Sequence, residues 1–188
     1  MGRWQPDARG RLARAALELY VERGFDRTSV AEIAERAGLT ERTFFRHYAD
    51  KREVLFAGSG ELLEVLANAV AQAPESATAM DAVAVALEGA AAVLAERQEH
   101  ARHRQSVIDA NTELQERELI KLASMSTALA DALRLRGVDE PSAALAAEVG
   151  MAVFKCAFRR WVDQTGTKEL VQFIREALAD LRAVTAET

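Results

Sequence analysis

Within the twenty residues SVAEIAERAGLTERTFFRHY (29–48) the chain must start a helix, stop it and start another. Ser29 and Glu32 stand in capping-box relation: the hydroxyl can accept the amide three residues on, and the carboxylate can reach back. Val30, Ile33, Ala34 and Ala37 make this short helix apolar on one side, and Gly38 ends it. Thr40 is placed to cap the next helix, which runs to about Tyr48. Upstream, from Asp7 to about Arg23, Leu12, Ala15, Ala16, Leu19 and Tyr20 recur at helical spacing before Gly24. Downstream, Asp50 and Glu53 form a second capping box. It opens a longer helix through Val54, Leu55, Leu62 and Leu66. Two short helices joined by a tight glycine-containing turn make a helix-turn-helix.

The second short helix divides its residues sharply. At 100° per residue, with Phe44 at 0°, Tyr48 falls at about 40° and both can pack on the preceding helices. Arg42 and Arg46 then lie at about 160° and about 200°, pointing away from that core, with Phe45 at about 100° beside them. Thr43 flanks the arginines on the other side and His47 sits nearer the edge. A strip of Arg, Thr and Phe suits the DNA major groove, because arginine donates a bidentate pair to guanine and an apolar group touches the thymine methyl. Ser29, Thr40 and Lys51 stand at or beside helix N-termini, where phosphates can be held.

Beyond residue 57 the pattern lengthens into amphipathic helices at about 51–73, 78–98, 101–111, 113–136, 140–163 and 168–184. Breaks fall at APES (73–76), RGVDEP (136–141) and QTGT (164–167), and strand signals are absent. The expected fold is all-α, with a three-helix head over residues 1–56 and a helical domain over 57–188. The net charge of −5 argues against a nucleic-acid partner, but residues 1–56 hold 11 Lys+Arg against 9 Asp+Glu while the remainder is acidic. Cys156, the single cysteine, excludes an internal disulfide and suits a small core position. The start MGRWQPDARG lacks a signal peptide's apolar stretch, and the run at 82–95 is too short to span a bilayer. A cytoplasmic protein without membrane partner is therefore expected.

No P-loop, dinucleotide-type glycine pattern or nucleophile–base pair is present, so no enzyme and no cofactor is expected. Glu96, His100 and His103 fall within about 60° of one helical face, which offers a carboxylate and two imidazoles to a metal or simply a solvated patch. The helix at 140–163 carries two apolar stripes, Leu145, Val149, Ala152, Val153, Cys156 and Met151, Phe154, Phe158, Trp161. Such a helix is either central in its own fold or shared with a partner. The helix at 168–184 carries one stripe, through Leu170, Phe173, Ile174, Ala177, Leu178 and Leu181.

The stretch ERGFDRTSVAEIAERAGLTERTFFRHYADKREVLF (22–56) resembles the DNA-binding domain of the tetracycline-repressor (TetR) family of transcriptional regulators. The resemblance implies a homodimer with a helical C-terminal domain that holds a small-molecule pocket, whose occupation releases a palindromic operator. It maps DNA contacts onto Ser29, Thr40, Arg42, Thr43, Phe45, Arg46, His47 and Lys51. Two positions depart from the family pattern: Phe45 stands where Tyr is frequent, and Arg42 where a small residue is frequent. The resemblance also favours a four-helix dimer interface, with Val149, Val153, Phe154, Phe158, Trp161, Phe173, Ile174 and Leu178 as its expected members. Residues such as Leu63, Leu66, Met80, Leu87, Leu94, Leu122, Met125 and Leu129 then become lining for an apolar effector. The expected function is a ligand-responsive, repressing DNA-binding regulator. The alternatives are a constitutive DNA-binding dimer and a helical interaction protein that does not bind DNA.

Overall fold

The computed structural model describes residues 7–186; residues 1–6, at the start of the expected head, lie outside the described residues. Every element among the described residues is helical: α1 (Ala8–Arg23), α2 (Val30–Arg36), α3 (Glu41–His47), α4 (Ser59–Gln72), α5 (Ala79–Leu94), α6 (Gln98–Asp109), α7 (Thr112–Leu135), α8 (Glu140–Asp163) and α9 (Leu170–Thr185), with a short 3-10 turn at Glu53–Phe56 before α4. The sequence predicts one helix over 51–73. The chain instead turns at Ala57 and Gly58, so the 3-10 segment and α4 are separate elements. Val54, Leu55 and Phe56 are all buried, and three consecutive buried residues cannot be served by one stripe of a continuous α-helix.

Two compact units emerge. The first joins residues up to Gly58 with His103–Leu119; the second holds Ser59–Arg102 and residues from Ile120 onward. In the first unit Leu12, Leu19, Ile33 and Phe44 form a fully buried centre around which α1, α2 and α3 pack. Val107, Ile108 and Leu114, from the end of α6 and the start of α7, are buried in that same cluster. The compact unit thus adds part of α6 and α7 to the residues of the expected head, 1–56. In the second unit α5 lies against α4, α8 and α9, with Val83, Ala86 and Leu87 fully buried. Thr78 and Asp81 form the capping box that starts α5, and Asp139 caps α8 ahead of Pro141.

Glycine permits the close crossing of α5 and α8. A Cβ built on Gly150 of α8 falls 2.4 Å from Cγ1 of Val83, so the bare backbone is what lets α5 approach. Glu53–Gln72 and Glu140–Asp163 are both long and apolar enough, by length and composition, to cross a bilayer. The first is interrupted at Ala57–Gly58, and the second buries Ala147, Met151, Phe154 and Trp161 in its own unit. Cys156 departs from its expected core position. Ala157 and Val153 face inward, while Cys156 is exposed on the other side of α8.

Gly150→Ala is expected to destabilise the chain by about 1–3 kcal/mol, because the added methyl overpacks a fully buried valine. Urea denaturation checks this against Gly58→Ala, where nothing lies within 4 Å of the new Cβ and little change is expected.

Candidate nucleic-acid interface

Short helices of seven residues do not persist unaided, and both α2 and α3 are held at their ends. Ser29 Oγ accepts the Glu32 amide at 3.2 Å and donates to Glu32 Oε2 at 2.8 Å, while the Ser29 amide donates to the same carboxylate oxygen at 2.8 Å. Both halves of the capping box are therefore made. Backbone and hydroxyl hydrogen bonds from Ser29 hold the Glu32 carboxyl below its ordinary pKa, against a small opposing desolvation, with Arg23 adding to the lowering. Thr40 Oγ1 accepts the Thr43 amide at 3.2 Å and lies 3.1 Å from Thr43 Oγ1. Gly38, with φ of 64°, makes the left-handed turn between the two helices. Arg11 donates to the Ala37 carbonyl at the end of α2. Arg36 bridges to Glu22 at 2.9 Å and Arg23 to Glu32 at 3.0 Å, tying α1 to α2.

On α3 the expected division of labour is observed. Phe44 is fully buried and Tyr48 nearly so, its hydroxyl donating to the Arg9 carbonyl at 3.0 Å. Phe45 is 55% exposed, with its ring edge-to-face on Phe44 at 5.5 Å. Arg42 and Arg46 are exposed, and neither has a hydrogen bond or ion pair among the described residues. Thr43 is half-buried with its hydroxyl beside that of Thr40. His47 is half-buried, and its Nε2 is enclosed without a hydrogen-bond partner.

Lys51 has different surroundings from those expected. Its ammonium donates to the carbonyls of Phe25 (2.9 Å), Thr28 (3.1 Å) and Asp26 (3.4 Å) and lies 4.3 Å above the Phe25 ring. An ammonium has three protons, and three carbonyls receive them. Lys51 thus fastens the loop between α1 and α2. Tyr20 completes the junction by donating to the Lys51 carbonyl at 2.6 Å. Burial, with the Asp50 charge adding, pushes the Tyr20 hydroxyl far above the ordinary tyrosine range, so it stays a donor.

A second anchor in this unit escaped the sequence reading. Arg104, largely buried, donates to the Leu55 carbonyl at 2.8 Å, stands 4.8 Å over the Phe56 ring and meets Glu118 at 3.2 Å. Desolvation pulls its pKa down while Glu118 supports the charged form. Arg117 pairs with Glu53 beside it. The signal lay in charged residues whose partners stand 14, 49 and 64 positions away, which local periodicity does not reveal. Elsewhere, no three His, Cys, Asp or Glu side chains come together as a metal site among the described residues, so Glu96, His100 and His103 gather no such group. Of the eight residues expected at a dimer face, Val153, Phe154, Trp161, Phe173, Ile174 and Leu178 are buried within the protomer, while Val149 and Phe158 are half-buried.

A capped pair of short helices presenting unpaired arginines defines a helix-turn-helix DNA-binding protein. Residues 12–57 match the bacterial regulatory proteins of the tetR family, and residues 77–186 match the family described as the MftR C-terminal domain. The chain belongs to the TetR family of bacterial transcriptional regulators. The HTH-type transcriptional regulator TcmR of Streptomyces glaucescens is 50% identical over 46 residues, which cover 24% of this chain and 20% of TcmR. The chain thus aligns with about a fifth of that relative's length. In fold it is similar to the SmeT–triclosan complex, with a TM-score of 0.66 and 20% identity over 94% of this chain and 90% of the other. SmeT is the repressor of a Stenotrophomonas maltophilia multidrug efflux pump. This chain is also similar in fold to Bacillus subtilis FadR in complex with stearoyl-CoA, with a TM-score of 0.64 and 21% identity over 92% of this chain and 96% of the other.

Ser29→Ala is expected to lower stability by about 1 kcal/mol at neutral pH, the ordinary cost of losing an N-cap. The depressed Glu32 carboxyl contributes stability above its ordinary pKa of 4.5, and this is lost as pH falls through the lower folded value. Because the Ser29 hydroxyl bond favours the charged form, the difference between variant and wild type narrows below pH 4.5. Thermal melts at pH 7 and below pH 4.5 check both parts, and a difference that widens in acid contradicts the assignment.

Proposed function

We propose that the chain is a cytoplasmic, homodimeric DNA-binding regulator that represses by occupying a palindromic operator and leaves it when a small apolar effector binds. The observation that carries the DNA-binding part is the exposed strip of Arg42, Phe45 and Arg46 on a capped second helix. Most surface arginines of the first unit hold carboxylates or carbonyls, whereas among the described residues these two make no hydrogen bond or ion pair. A constitutive DNA-binding dimer remains the alternative for the effector part, and a helical interaction protein gives no role to that strip.

The dimer face is read from the exposed side of α8. Leu145 is 67% exposed, Val149 is half-buried, and Ala152 and Cys156 are exposed, forming one apolar stripe along the helix. Small residues at its centre permit close approach of a second helix, and a two-fold axis there matches each stripe with its own copy. Arg46→Ala is expected to weaken operator binding by about 1–3 kcal/mol. Leu145→Glu is expected to reduce the particle from twice the chain mass to one, with a loss of operator affinity. Fluorescence anisotropy and light scattering read the two effects. Unchanged affinity in the first variant refutes the groove assignment, and a wild-type monomer at micromolar concentration refutes the dimer.

For the effector, Leu62, Leu66, Leu87, Ala90, Met125, Met151 and Phe154 of the second unit line a tight apolar cleft that has essentially no free volume until its side chains move. Its lining is wholly apolar, so it favours an uncharged hydrophobic molecule, and two flexible methionines let it widen. Relatives of similar fold carry stearoyl-CoA and triclosan in their structures. An effector that releases DNA obeys reciprocity: bound operator weakens effector binding by the same factor, about 5–150-fold for a coupling of about 1–3 kcal/mol. Titration of triclosan, and of each hit from a thermal-shift screen of hydrophobic compounds, with and without operator measures that factor. Hits that bind equally in both cases leave the constitutive dimer.

A further inference from the structure

The groove-facing part of the interface is narrower than the eight residues that the family pattern marks. Ser29 and Thr40 have their side chains engaged in caps, Thr43 lies against Thr40, and Lys51 has its protons on three carbonyls. Among the described residues of the first unit most other cations are engaged as well. Arg9 and Arg11 donate to carbonyls, Arg36 and Arg52 meet carboxylates, and Arg27 donates to the Arg23 carbonyl at 2.6 Å. Arg14 is exposed like Arg42 and Arg46 but belongs to α1 and not to the second helix of the motif.

We infer that Arg42, Phe45 and Arg46 are the base readers of this chain, and that its DNA half-site carries two guanines, one for each arginine, with a thymine methyl beside the guanine read by Arg46. This rests on the DNA-binding reading above and specifies the duplex that it takes. Each guanidinium presents a fork of N–H donors and no acceptor, and guanine alone offers two acceptors, N7 and O6, side by side in the major groove. Adenine puts an amino group where the second acceptor must be. Along a helix rising 1.5 Å per residue, Arg42 and Arg46 are displaced by about 6 Å, close to two base-pair steps of about 3.4 Å. Phe45 lies about 1.5 Å from the level of Arg46 and about 4.5 Å from that of Arg42, so its exposed ring falls next to the base pair that Arg46 reads. The thymine C5-methyl is the one apolar group that the major groove offers to such a ring.

The test begins with selection of duplexes by the full chain from a random library. The selected site is then resynthesised with 7-deazaguanine, which lacks the N7 acceptor, at each guanine in turn, and with deoxyuridine, which lacks the methyl, at each thymine. Two guanine positions in each half-site are expected to lose about tenfold in affinity, the ordinary size of a charge-assisted hydrogen bond. Arg46→Ala is expected to become insensitive at one of them and Arg42→Ala at the other. Deoxyuridine next to the Arg46 guanine is expected to cost about fourfold in the wild type and little in Phe45→Ala. Selected sites that tolerate 7-deazaguanine everywhere overturn the inference and leave DNA binding intact, as do paired losses that ignore the arginine variants. A library from which no duplex is enriched overturns both this inference and the DNA-binding reading.

Discussion

The ends of helices are the constraint on which both units depend. The last turn of any helix leaves carbonyls without intrahelical partners, and a chain of short helices has many such ends. Here cations from distant positions receive them. In the first unit Arg11 reaches the end of α2, Lys51 gathers three carbonyls of the loop after α1, and Arg104 takes the Leu55 carbonyl of the 3-10 turn. In the second unit Arg136 donates to the carbonyls of Val70, Ala73 and Pro74 at the end of α4, at 3.1, 2.7 and 2.7 Å. Arg102 and Gln98 do the same for α8, through Val162 at 2.8 Å and Trp161 at 2.7 Å. A positive group near a helix C-terminus is favoured by the dipole as well as by the hydrogen bonds.

That arrangement decides which charges are left for function. Composition alone places this chain among acidic proteins, and its surplus of cations in the first 56 residues is slight. Counting cations overstates what is available, because most of those near the helix-turn-helix are tied to carbonyls or carboxylates. A reader made of few free groups gains selectivity in return. Each engaged cation is one fewer contact that attracts any phosphate backbone regardless of sequence.

Much of the first unit was legible in the sequence because its signals are local. The Ser29–Glu32 box, the Gly38 stop and the Thr40 cap are each set within four residues, and all three are found. The opposite fates of Phe44 and Phe45 follow from a rotation of 100°. What escaped was non-local. Val107, Ile108 and Leu114 complete the core around Phe44 from about sixty residues away, and nothing in their own helical pattern names that partner. Lys51 looked available because its position in the sequence is beside a helix start, whereas its side chain folds back over Phe25. The break at Ala57–Gly58 was hidden by an apolar pattern compatible with either a continuous or an interrupted helix. Cys156 was misplaced for a related reason. On a helix with apolar residues on two sides, periodicity does not say which side is inside.

The same ambiguity bears on how the second unit, with few aromatic residues, would serve the two purposes proposed for it. Phe154 faces the apolar cleft and stacks on Phe158 at 5.8 Å, which in turn meets Trp161 at 5.7 Å. This aromatic row occupies the inward side of α8, while Leu145, Val149, Ala152 and Cys156 occupy the outward side. Gly150 sits between these sides in sequence and lets α5 come within van der Waals reach of the α8 backbone. A rigid helix that is close-packed on one side transmits a displacement to its other side, because neither side chains nor backbone have slack to absorb it. On the function proposed above, an effector that widens the cleft by moving Met151 or Phe154 shifts the outward stripe as well. If two copies meet on that stripe, the movement alters their mutual setting. The cleft and the dimer face are then opposite surfaces of a single helix, and no longer path is needed to join them.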